Sequence, residues 1–305
     1  MYDLIIAGGG PAGVSAAIYA KRAMLDVILV ESNYTTGGQI LETYEVDNYP
    51  GIPGINGFDL GMKFKEHMDK FGVETLNAVI KSIKTQGKVK KVITSKKELE
   101  AKAVIIALGA SHKGLMVKGE KEFSGKGVSY CATCDGNFYK DGVCAVVGGG
   151  DVALEDAIYL SRICKKVYLI HRRDEFRGAK SLQEVVKNTE NIQIIWDSVI
   201  TEICGDDTVS ALKILNKKTN ENSSLEVEGL FIATGIVPNT IDIDIDVEKD
   251  SVGYIVAQED CKTSKEGIFA AGDIRTKRLR QVITAASDGA NAVTSVEEYL
   301  QDYDK

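Results

Sequence analysis

The chain has 305 residues, enough for two ordinary domains, and its 44% hydrophobic and 27% charged residues are typical of a folded globular protein. A formal net charge of -7 and a pI near 5.2 argue against a nucleic-acid-binding surface, which needs a basic face. No apolar run is long enough to span a membrane, and a first strand beginning at Tyr2 leaves no room for a signal peptide. We therefore expect a cytosolic protein, in which thiols stay reduced.

The first predicted element is a nucleotide-binding unit over residues 2–31. Its sequence, YDLIIAGGGPAGVSAAIYAKRAMLDVILVE, predicts a strand, a glycine-rich turn, an alanine-rich helix and a second strand. Gly8, Gly10 and Gly13 supply the tight turn, the close approach of backbone to a pyrophosphate and the helix-to-strand contact. The helix N-terminus offers free N–H groups to phosphates. Glu31 can accept hydrogen bonds from a ribose diol, which suits FAD or NAD and repels a 2'-phosphate.

The next feature is a C-x-x-C pair, Cys131 and Cys134, followed directly by Asp135. A structural zinc site needs four ligands, and the chain has no second C-x-x-C pair and only scattered histidines, so no metal site is predicted. The spacing instead suits two sulfurs that form and open a disulfide. Asp135 is a candidate acid or base for that exchange, or alternatively a simple turn residue before Gly136. The remaining cysteines are expected to be small buried hydrophobes: Cys144, Cys164, Cys204 and Cys261.

A second nucleotide-binding unit follows over residues 142–173, GVCAVVGGGDVALEDAIYLSRICKKVYLIHRR. It repeats the order of the first unit, and the same 23 positions separate Gly148 from His171 as separate Gly8 from Glu31. The turn keeps small residues at the three motif positions: Gly148, Gly150 and Ala153. This shared register indicates a duplicated nucleotide fold.

The two units differ at the end of their second strand. Where the first has Glu31, the second has His171, Arg172 and Arg173, followed by Arg177. Guanidinium groups match phosphate in charge and fork geometry, so this end is predicted to bind the 2'-phosphate of NADP. The alternative is a solvated basic patch.

Later strands indicate how the domains are arranged. Residues 103–111 and 229–237 each run from an apolar strand into a small-residue turn, and IFAAGDI at 268–274 precedes a long helix pattern. That tail fits the first unit, because the second already has its closing strand. We therefore predict an α/β fold with two Rossmann-like, three-layer domains, the second inserted in the first. The predicted parts are 1–113, 114–243 and 244–305.

Taken together, these motifs resemble the low-molecular-weight, bacterial-type NADPH-dependent thioredoxin reductases. The resemblance rests on GGGPAG, GGQILETYEVDNYPG (37–51), CATCDG, GGGDVALEDA, HRRDEFR, and the closing GDI with RQVITAA. It covers nearly the whole chain. It implies a homodimer in which electrons pass from NADPH through FAD and the Cys131–Cys134 pair to the disulfide of thioredoxin.

The resemblance also implies roles for individual residues. It assigns the FAD phosphate and ribose to Gly8, Gly10, Ala12, Gly13 and Glu31. It places beside the flavin Gly38, Gln39, Asn48, Arg280, Gln281 and Val282. Asp273 is implied to contact the ribityl-phosphate chain, and Asp151 to belong to the NADPH site.

For the redox pair, the resemblance implies that Cys134 meets the flavin, Cys131 attacks the partner's disulfide and Asp135 donates the proton. The chain departs from the family at two positions. Asn137 stands where the family often has the first of two aromatic residues that face thioredoxin, and Tyr49 replaces a frequent Trp near the flavin.

Two other functions are compatible with the cysteine pair. One is a related flavoenzyme that takes electrons from ferredoxin or passes them to oxygen, but such relatives lack the basic cluster. The other is a redox sensor that reports the NADPH level to a partner without turnover.

Overall fold

The computed structural model describes residues 1–43, 45–240 and 243–303, apart from the side chain of Glu42. The chain divides into two compact units, Met1–Ser111 with Val237–Lys305, and His112–Ile236. The second division, after Ile236, comes earlier than the joint predicted near residue 243 and falls within a short strand that begins at Ile236. Residues 241 and 242, next to that predicted joint, and Tyr44, in the 37–51 motif, lie outside the described residues.

Strand-to-helix-to-strand units occur in two parts of the chain, and a run of successive strands follows each part. The strands are β1 (Tyr2–Ala7), β2 (Val27–Glu31), β3 (Glu74–Asn77), β4 (Ile80–Gln86), β5 (Val89–Thr94), β6 (Glu98–Ile106), β7 (Ala110–His112), β8 (Val128–Ser129), β9 (Val143–Gly148), β10 (Lys166–Ile170), β11 (Ile192–Ile195), β12 (Ser198–Gly205), β13 (Val209–Asn216), β14 (Asn222–Glu226), β15 (Gly229–Ala233), β16 (Ile236–Pro238), β17 (Asp244–Ile245) and β18 (Ile268–Ala270). The helices are α1 (Pro11–Arg22), α2 (Gly57–Lys70), α3 (Ala132–Asp135), α4 (Asp151–Ser161), α5 (Lys180–Asn188) and α6 (Val282–Tyr303). None of the helices in the described residues is both long and apolar enough to cross a membrane.

The two later segments each run from an apolar strand into a turn, as predicted. β6 ends at Ile106 within residues 103–111, and β15 ends at Ala233 within residues 229–237. Gly109 (φ 68°) and Gly235 (φ 124°) have a positive φ that a strand does not accommodate. These glycines lie in the turns that follow the two strands.

The first unit is built on one sheet of order β17-β4-β5-β6-β1-β2-β3, with β18 also paired to β6. β1 lies in the middle and pairs in parallel with both β2 and β6. Successive β1 side chains point to opposite faces. Leu4 and Ile6 pack in the cluster that includes α1 and α6, whereas Ile5 and Ala7 pack in the cluster on the other face.

The second unit has a parallel sheet of order β11-β10-β9-β15-β8. Cys144 and Val146 of β9 pack on one face, where the core includes residues of α4. Ala145 and Val147 pack on the other, where the core includes residues of the antiparallel β12-β13-β14 sheet. Both units thus place a glycine turn after a central buried strand, and the predicted α/β fold is confirmed.

Candidate active site

The glycine turn of the first unit joins β1 to α1. Gly8 has a φ of 108°, and a Cβ on it would collide with the carbonyl oxygen of Ala107. A Cβ on Gly13 would collide with the carbonyl oxygen of Gly8. A Cβ on Gly10, by contrast, would have nothing within 4 Å. Two glycines are therefore required by the fold itself, and the third leaves open space at the start of the helix.

Other small residues surround that helix start. A Cβ on Gly38 would lie 3.1 Å from the Cα of Gly10, and a Cβ on Gly272 would lie 2.9 Å from the Cβ of Ala12. Pro11 occupies the first helical position, where its missing N–H costs no hydrogen bond. The structure therefore brings together the glycine turn, the 37–51 motif and the GDI motif, which are far apart in the sequence.

Glu31, at the end of β2, lies behind the same turn and is 8% exposed. Its carboxylate accepts hydrogen bonds from the backbone N–H of Gly9 and of Asn33, each at 2.7 Å. A carboxylate has about four lone-pair sites, so acceptor capacity remains for a ribose hydroxyl.

Two of the residues implied to lie beside the flavin, Asn48 and Gln281, are hydrogen-bonded to each other. The Asn48 Nδ2 donates to Gln281 Oε1 at 2.9 Å. The Gln39 Nε2 donates to the carbonyl oxygen of Ala110. Val282, the first residue of α6, packs against the small core of Ile40, Val46 and Leu60.

Arg280 and Asp273 form the other part of this region. The Arg280 guanidinium donates to the carbonyl oxygens of Asp273 at 3.5 Å and Arg275 at 3.3 Å, and stacks 4.1 Å from the ring centroid of Tyr254. Burial raises the pKa of Asp273, although Lys277 and Arg280 oppose this effect. Arg280 is thus fixed against the turn that carries Asp273.

These residues fit FAD. The Asp273 Oδ1 is buried and has no hydrogen-bond partner within the described part of the chain, and the same holds for the Oγ1 atoms of Thr35 and Thr36. Buried polar atoms are normally paired, so these atoms indicate a ligand that supplies hydrogen-bonding groups. FAD, with its hydroxyl-bearing ribityl chain and its pyrophosphate, supplies such groups next to the open space at Gly10.

The second unit repeats the turn between β9 and α4. A Cβ on Gly148 would lie 2.6 Å from the Cβ of Ala153, whereas a Cβ on Gly150 would meet nothing within 4 Å. The Asp151 Oδ1 accepts from the backbone N–H of Ala179 at 2.7 Å. The second glycine of the motif, Gly10 in the first unit and Gly150 in the second, therefore borders open space in both units.

His171 is placed differently from the arginines that follow it. It is 5% exposed, its ring packs against Gly149, and Nδ1 lies 2.8 Å from the carbonyl oxygen of Gly148. Burial lowers its pKa, and the charges of Arg177 and Arg172 lower it further. His171 is therefore a neutral support beneath the turn, with a buried Nε2 that has no partner among the described residues.

The positive charge at this end comes from Arg172, Arg173 and Arg177, which are all exposed. Over the described ranges, none of the three has a carboxylate within 4 Å. The backbone N–H of Arg177 donates to the carbonyl oxygen of Gly149 at 2.8 Å, which ties this segment to the turn. Free guanidinium groups beside an open glycine turn fit the 2'-phosphate of NADPH.

The redox pair lies at the start of α3, directly after β8. Cys131 and Cys134 are joined in a disulfide, with their Cα atoms 5.3 Å apart. The Cys131 Sγ lies 3.4 Å from the Oγ1 of Thr133. The carbonyl oxygen of Cys131 accepts from the backbone N–H groups of Cys134 and Asp135, which closes the helical turn.

Asp135 follows the disulfide and is tied to Ser129. The Ser129 hydroxyl donates to Asp135 Oδ2 at 2.6 Å, while Oδ1 is buried and has no partner among the described residues. Burial raises the pKa of Asp135, and the hydrogen bond from Ser129 partly offsets this effect. A carboxyl group with a raised pKa next to a disulfide is suited to donate a proton.

The chain resembles known proteins over its full length. Residues 2–289 match the family model of pyridine nucleotide-disulphide oxidoreductases. A thioredoxin reductase of Peptoclostridium litorale is 42% identical over 309 residues, covering 99% of this chain and 98% of the relative, and that of Bacillus subtilis is 42% identical over 303 residues, covering 99% and 96%. The crystal structure of thioredoxin reductase from Streptococcus pyogenes superposes with a TM-score of 0.92 at 44% identity, covering 99% of this chain and 98% of that one. The chain belongs to the thioredoxin reductase family.

Membership of this family confirms three predictions. The chain is a flavoprotein disulfide oxidoreductase, its cofactors are FAD and NADPH, and the family resemblance drawn from its motifs is correct. The roles of individual site residues stay predictions, supported by the contacts described above.

Ser129 is a residue that the sequence reasoning missed. Its hydroxyl donates to Asp135 and also accepts from the backbone N–H of Cys131 at 3.1 Å. A hydroxyl two residues before a C-x-x-C pair was the available signal. Of the remaining cysteines, Cys144 and Cys164 are buried with their Sγ atoms 3.7 Å apart, Cys261 is buried and Cys204 is half-buried.

Proposed function

We propose that this chain transfers electrons from NADPH, through FAD and the Cys131–Cys134 pair, to the disulfide of thioredoxin or a thioredoxin-like protein. The observation that carries the proposal is the disulfide between Cys131 and Cys134 beside the half-buried carboxyl of Asp135. Relatives 42% identical to this chain are thioredoxin reductases. This similarity favours thioredoxin reduction over a ferredoxin-dependent enzyme, an oxygen-using enzyme or a redox sensor.

FAD, when bound, would supply the chemistry that joins a hydride donor to a dithiol, namely the transfer of two electrons from NADPH to a disulfide. The chain's own residues carry out the exchange with the partner. The Cys131 thiolate attacks one sulfur of the partner's disulfide, which forms a mixed disulfide and releases the other sulfur as a thiolate. Asp135 protonates a leaving thiolate in this exchange. Cys134 then attacks Cys131, which restores the internal disulfide and frees the second partner sulfur.

We propose the cofactor sites unit by unit. FAD binds the unit formed by Met1–Ser111 and Val237–Lys305, and NADPH binds His112–Ile236, which also carries the cysteines. The open position at Gly10 and the unpartnered Asp273 Oδ1 support the first assignment. The open position at Gly150 and the unpaired arginines support the second.

The proposal extends to partners and location. Thioredoxin would meet the exposed surface near the cysteines, where Phe138 is 46% exposed beside an exposed Asn137. A homodimer is supported by exposed apolar side chains on α1 and α2, namely Tyr19, Phe58 and Met62. The acidic charge supports a protein without a nucleic-acid partner, and the reduced free cysteines support a cytosolic location.

A redox titration tests the function. The purified protein should be yellow, lose its colour with NADPH and regain it when a thioredoxin is added. Cys131→Ser and Cys134→Ser should each abolish thioredoxin reduction but leave FAD bound and reducible, because hydride transfer to the flavin needs no thiol. Cys204→Ser is the matched control and should retain turnover. Thioredoxin reduction by either active-site variant would contradict the proposal.

A further inference from the structure

Asp288, on the second turn of α6, is 4% exposed and accepts four hydrogen bonds. The donors are the backbone N–H of Gly272 (2.9 Å), the Nε (2.8 Å) and Nη2 (2.7 Å) of Arg275, and the Nζ of Lys277 (2.8 Å). All three donor residues belong to the segment that follows β18. Asp288 therefore anchors this segment to α6 through one carboxylate.

Asp288 lies where α6, α1 and the GDI turn of the first unit meet. Gly289, the next residue of α6, packs so closely on α1 that a Cβ would collide with the carbonyl oxygen of Ala12. Gly272 packs against the Cβ of the same Ala12. The Asp288 carboxylate therefore fixes the GDI turn at the point where that turn contacts the start of α1.

The anchored segment carries the residues proposed to face FAD. Asp273 follows Gly272 directly, and Arg280 donates to the carbonyl oxygen of Arg275. Arg275 also donates to the carbonyl oxygens of Ala257 and Thr276. A continuous series of hydrogen bonds thus connects Asp288 with the backbone that orients both Asp273 and Arg280.

The charges around Asp288 do not balance within the cluster. The side chains of Arg275, Lys277 and Asp288 are 9%, 7% and 6% exposed, so two buried cations share one carboxylate. Burial alone would raise the pKa of Asp288, but hydrogen bonds from Arg275 and Lys277 outweigh it and lower the pKa. The carboxylate is therefore ionised, and removing it leaves two buried cations without their partner.

We propose that Asp288 is a positioning residue of the flavin site, which fixes the 272–280 segment so that Asp273 and Arg280 are held in the orientation that FAD requires. The proposal rests on the FAD assignment made above. It assigns Asp288 no contact with FAD and no part in thiol exchange.

The binding of FAD to the FAD-free protein tests this role, measured by quenching of flavin fluorescence. In Asp288→Asn the side chain keeps its shape but turns an amide N–H2 toward cationic donors. We expect FAD to bind about tenfold more weakly, the loss expected when a displaced Asp273 or Arg280 gives up one charged hydrogen bond to FAD. A purely electrostatic effect would have the opposite sign, because removing a negative charge from a unit that binds an anionic cofactor favours binding. Unchanged or tighter binding would overturn the proposal.

Ser295→Ala is the matched control on the same helix. Ser295 is 5% exposed and its hydroxyl ties α6 to the carbonyl oxygen of Asp260 at 2.7 Å, away from the GDI turn. We expect a lower melting temperature without FAD but unchanged FAD affinity. If Ser295→Ala weakens FAD binding as much as Asp288→Asn, the effect is general loss of stability and the proposal fails.

A double-mutant cycle with Asp273→Asn distinguishes positioning from an independent contribution. If Asp288 acts through Asp273, the double variant should bind FAD no more weakly than the worse single variant. Fully additive losses, or no effect of Asp273→Asn alone, would overturn the proposal.

Should Asp288→Asn fail to fold, Arg275→Lys enters the same cycle, because it keeps the charge and loses the paired hydrogen bonds to Asp288. Failure of thioredoxin turnover by wild-type protein with FAD bound would contradict only the proposed function.

Discussion

At the scale of single residues, the hydroxyl of Ser129 connects two parts of the redox box. It holds the backbone of Cys131 and donates to the carboxylate of Asp135. A hydrogen bond donated to a carboxylate stabilises its charged form and lowers its pKa. The proton affinity of Asp135 therefore depends on Ser129 as well as on burial.

Ser129→Ala should raise the pKa of Asp135 further. If Asp135 works as a proton donor, its protonated form is the active one, so activity is lost as pH rises through this pKa. The fall in thioredoxin turnover at high pH, which we assign to loss of the Asp135 proton, should consequently occur at higher pH in the variant. Steady-state rates measured across pH check this shift. Ser161→Ala, which removes a hydroxyl bonded to the carbonyl oxygen of Ile158, should follow the wild-type curve.

Replacement of Arg172, Arg173 and Arg177 by alanine should reduce the preference for NADPH over NADH. Each lost hydrogen bond to a charged group costs about 1.5 to 3 kcal/mol, or roughly ten- to a hundredfold in affinity. KM values for both nucleotides, measured through flavin reduction, provide the comparison. Arg162→Ala on the same unit is the control, and an unchanged preference in the triple variant would show that the phosphate binds elsewhere.

At the scale of elements, each unit has the same strand, turn and helix, and we propose that the two copies bind different nucleotides. In the first unit the glycines have separate roles, because Gly13 contacts the backbone of Gly8 while Gly10 borders open space. Gly10 has a φ of -72°, which any residue adopts. The fold therefore requires Gly13, whereas at Gly10 the fold leaves room for a side chain, and we propose that the ligand requires glycine there.

Gly10→Val should leave the folding of the FAD-free protein nearly unchanged and strongly weaken FAD binding, because the side chain fills the space left for the pyrophosphate. Gly13→Val should instead destabilise the protein with or without FAD, since its Cβ collides with the carbonyl oxygen of Gly8. Thermal unfolding and FAD titration separate the two effects. Equal loss of stability in both FAD-free variants would show that Gly10 is also a packing position.

At the scale of the whole molecule, each unit has its own hydrophobic core. The clusters around β1 contain only residues of the first unit, and those around β9 contain only residues of the second. A ligand that binds one unit stabilises the folded form of that unit. The stabilisation depends on the ligand concentration relative to Kd and is about 2.7 kcal/mol when the concentration is a hundred times Kd.

Hydrogen exchange followed by mass spectrometry should therefore show FAD protecting peptides from Met1–Ser111 and Val237–Lys305. NADP⁺ added to the FAD-loaded protein should protect peptides from His112–Ile236. The oxidised nucleotide is used so that the flavin is not reduced during the measurement. Protection by NADP⁺ confined to the first unit would overturn the assignment of the nucleotides to the units.

The sequence by itself determined the two nucleotide units, the cysteine pair and the basic cluster. These features depend on short spacings along the chain, and a turn or a strand-to-helix junction is specified by neighbouring residues. Only the tertiary structure showed that His171 is a buried support, that Asn48 donates to Gln281, and that Asp288 holds the GDI turn. In the first unit those contacts join residues brought together by the packing of β1, α1 and α6, and in the second unit by the pairing of β9 with β10. The direction and burial of a side chain in such a contact depend on every element around it, and local sequence patterns do not specify them.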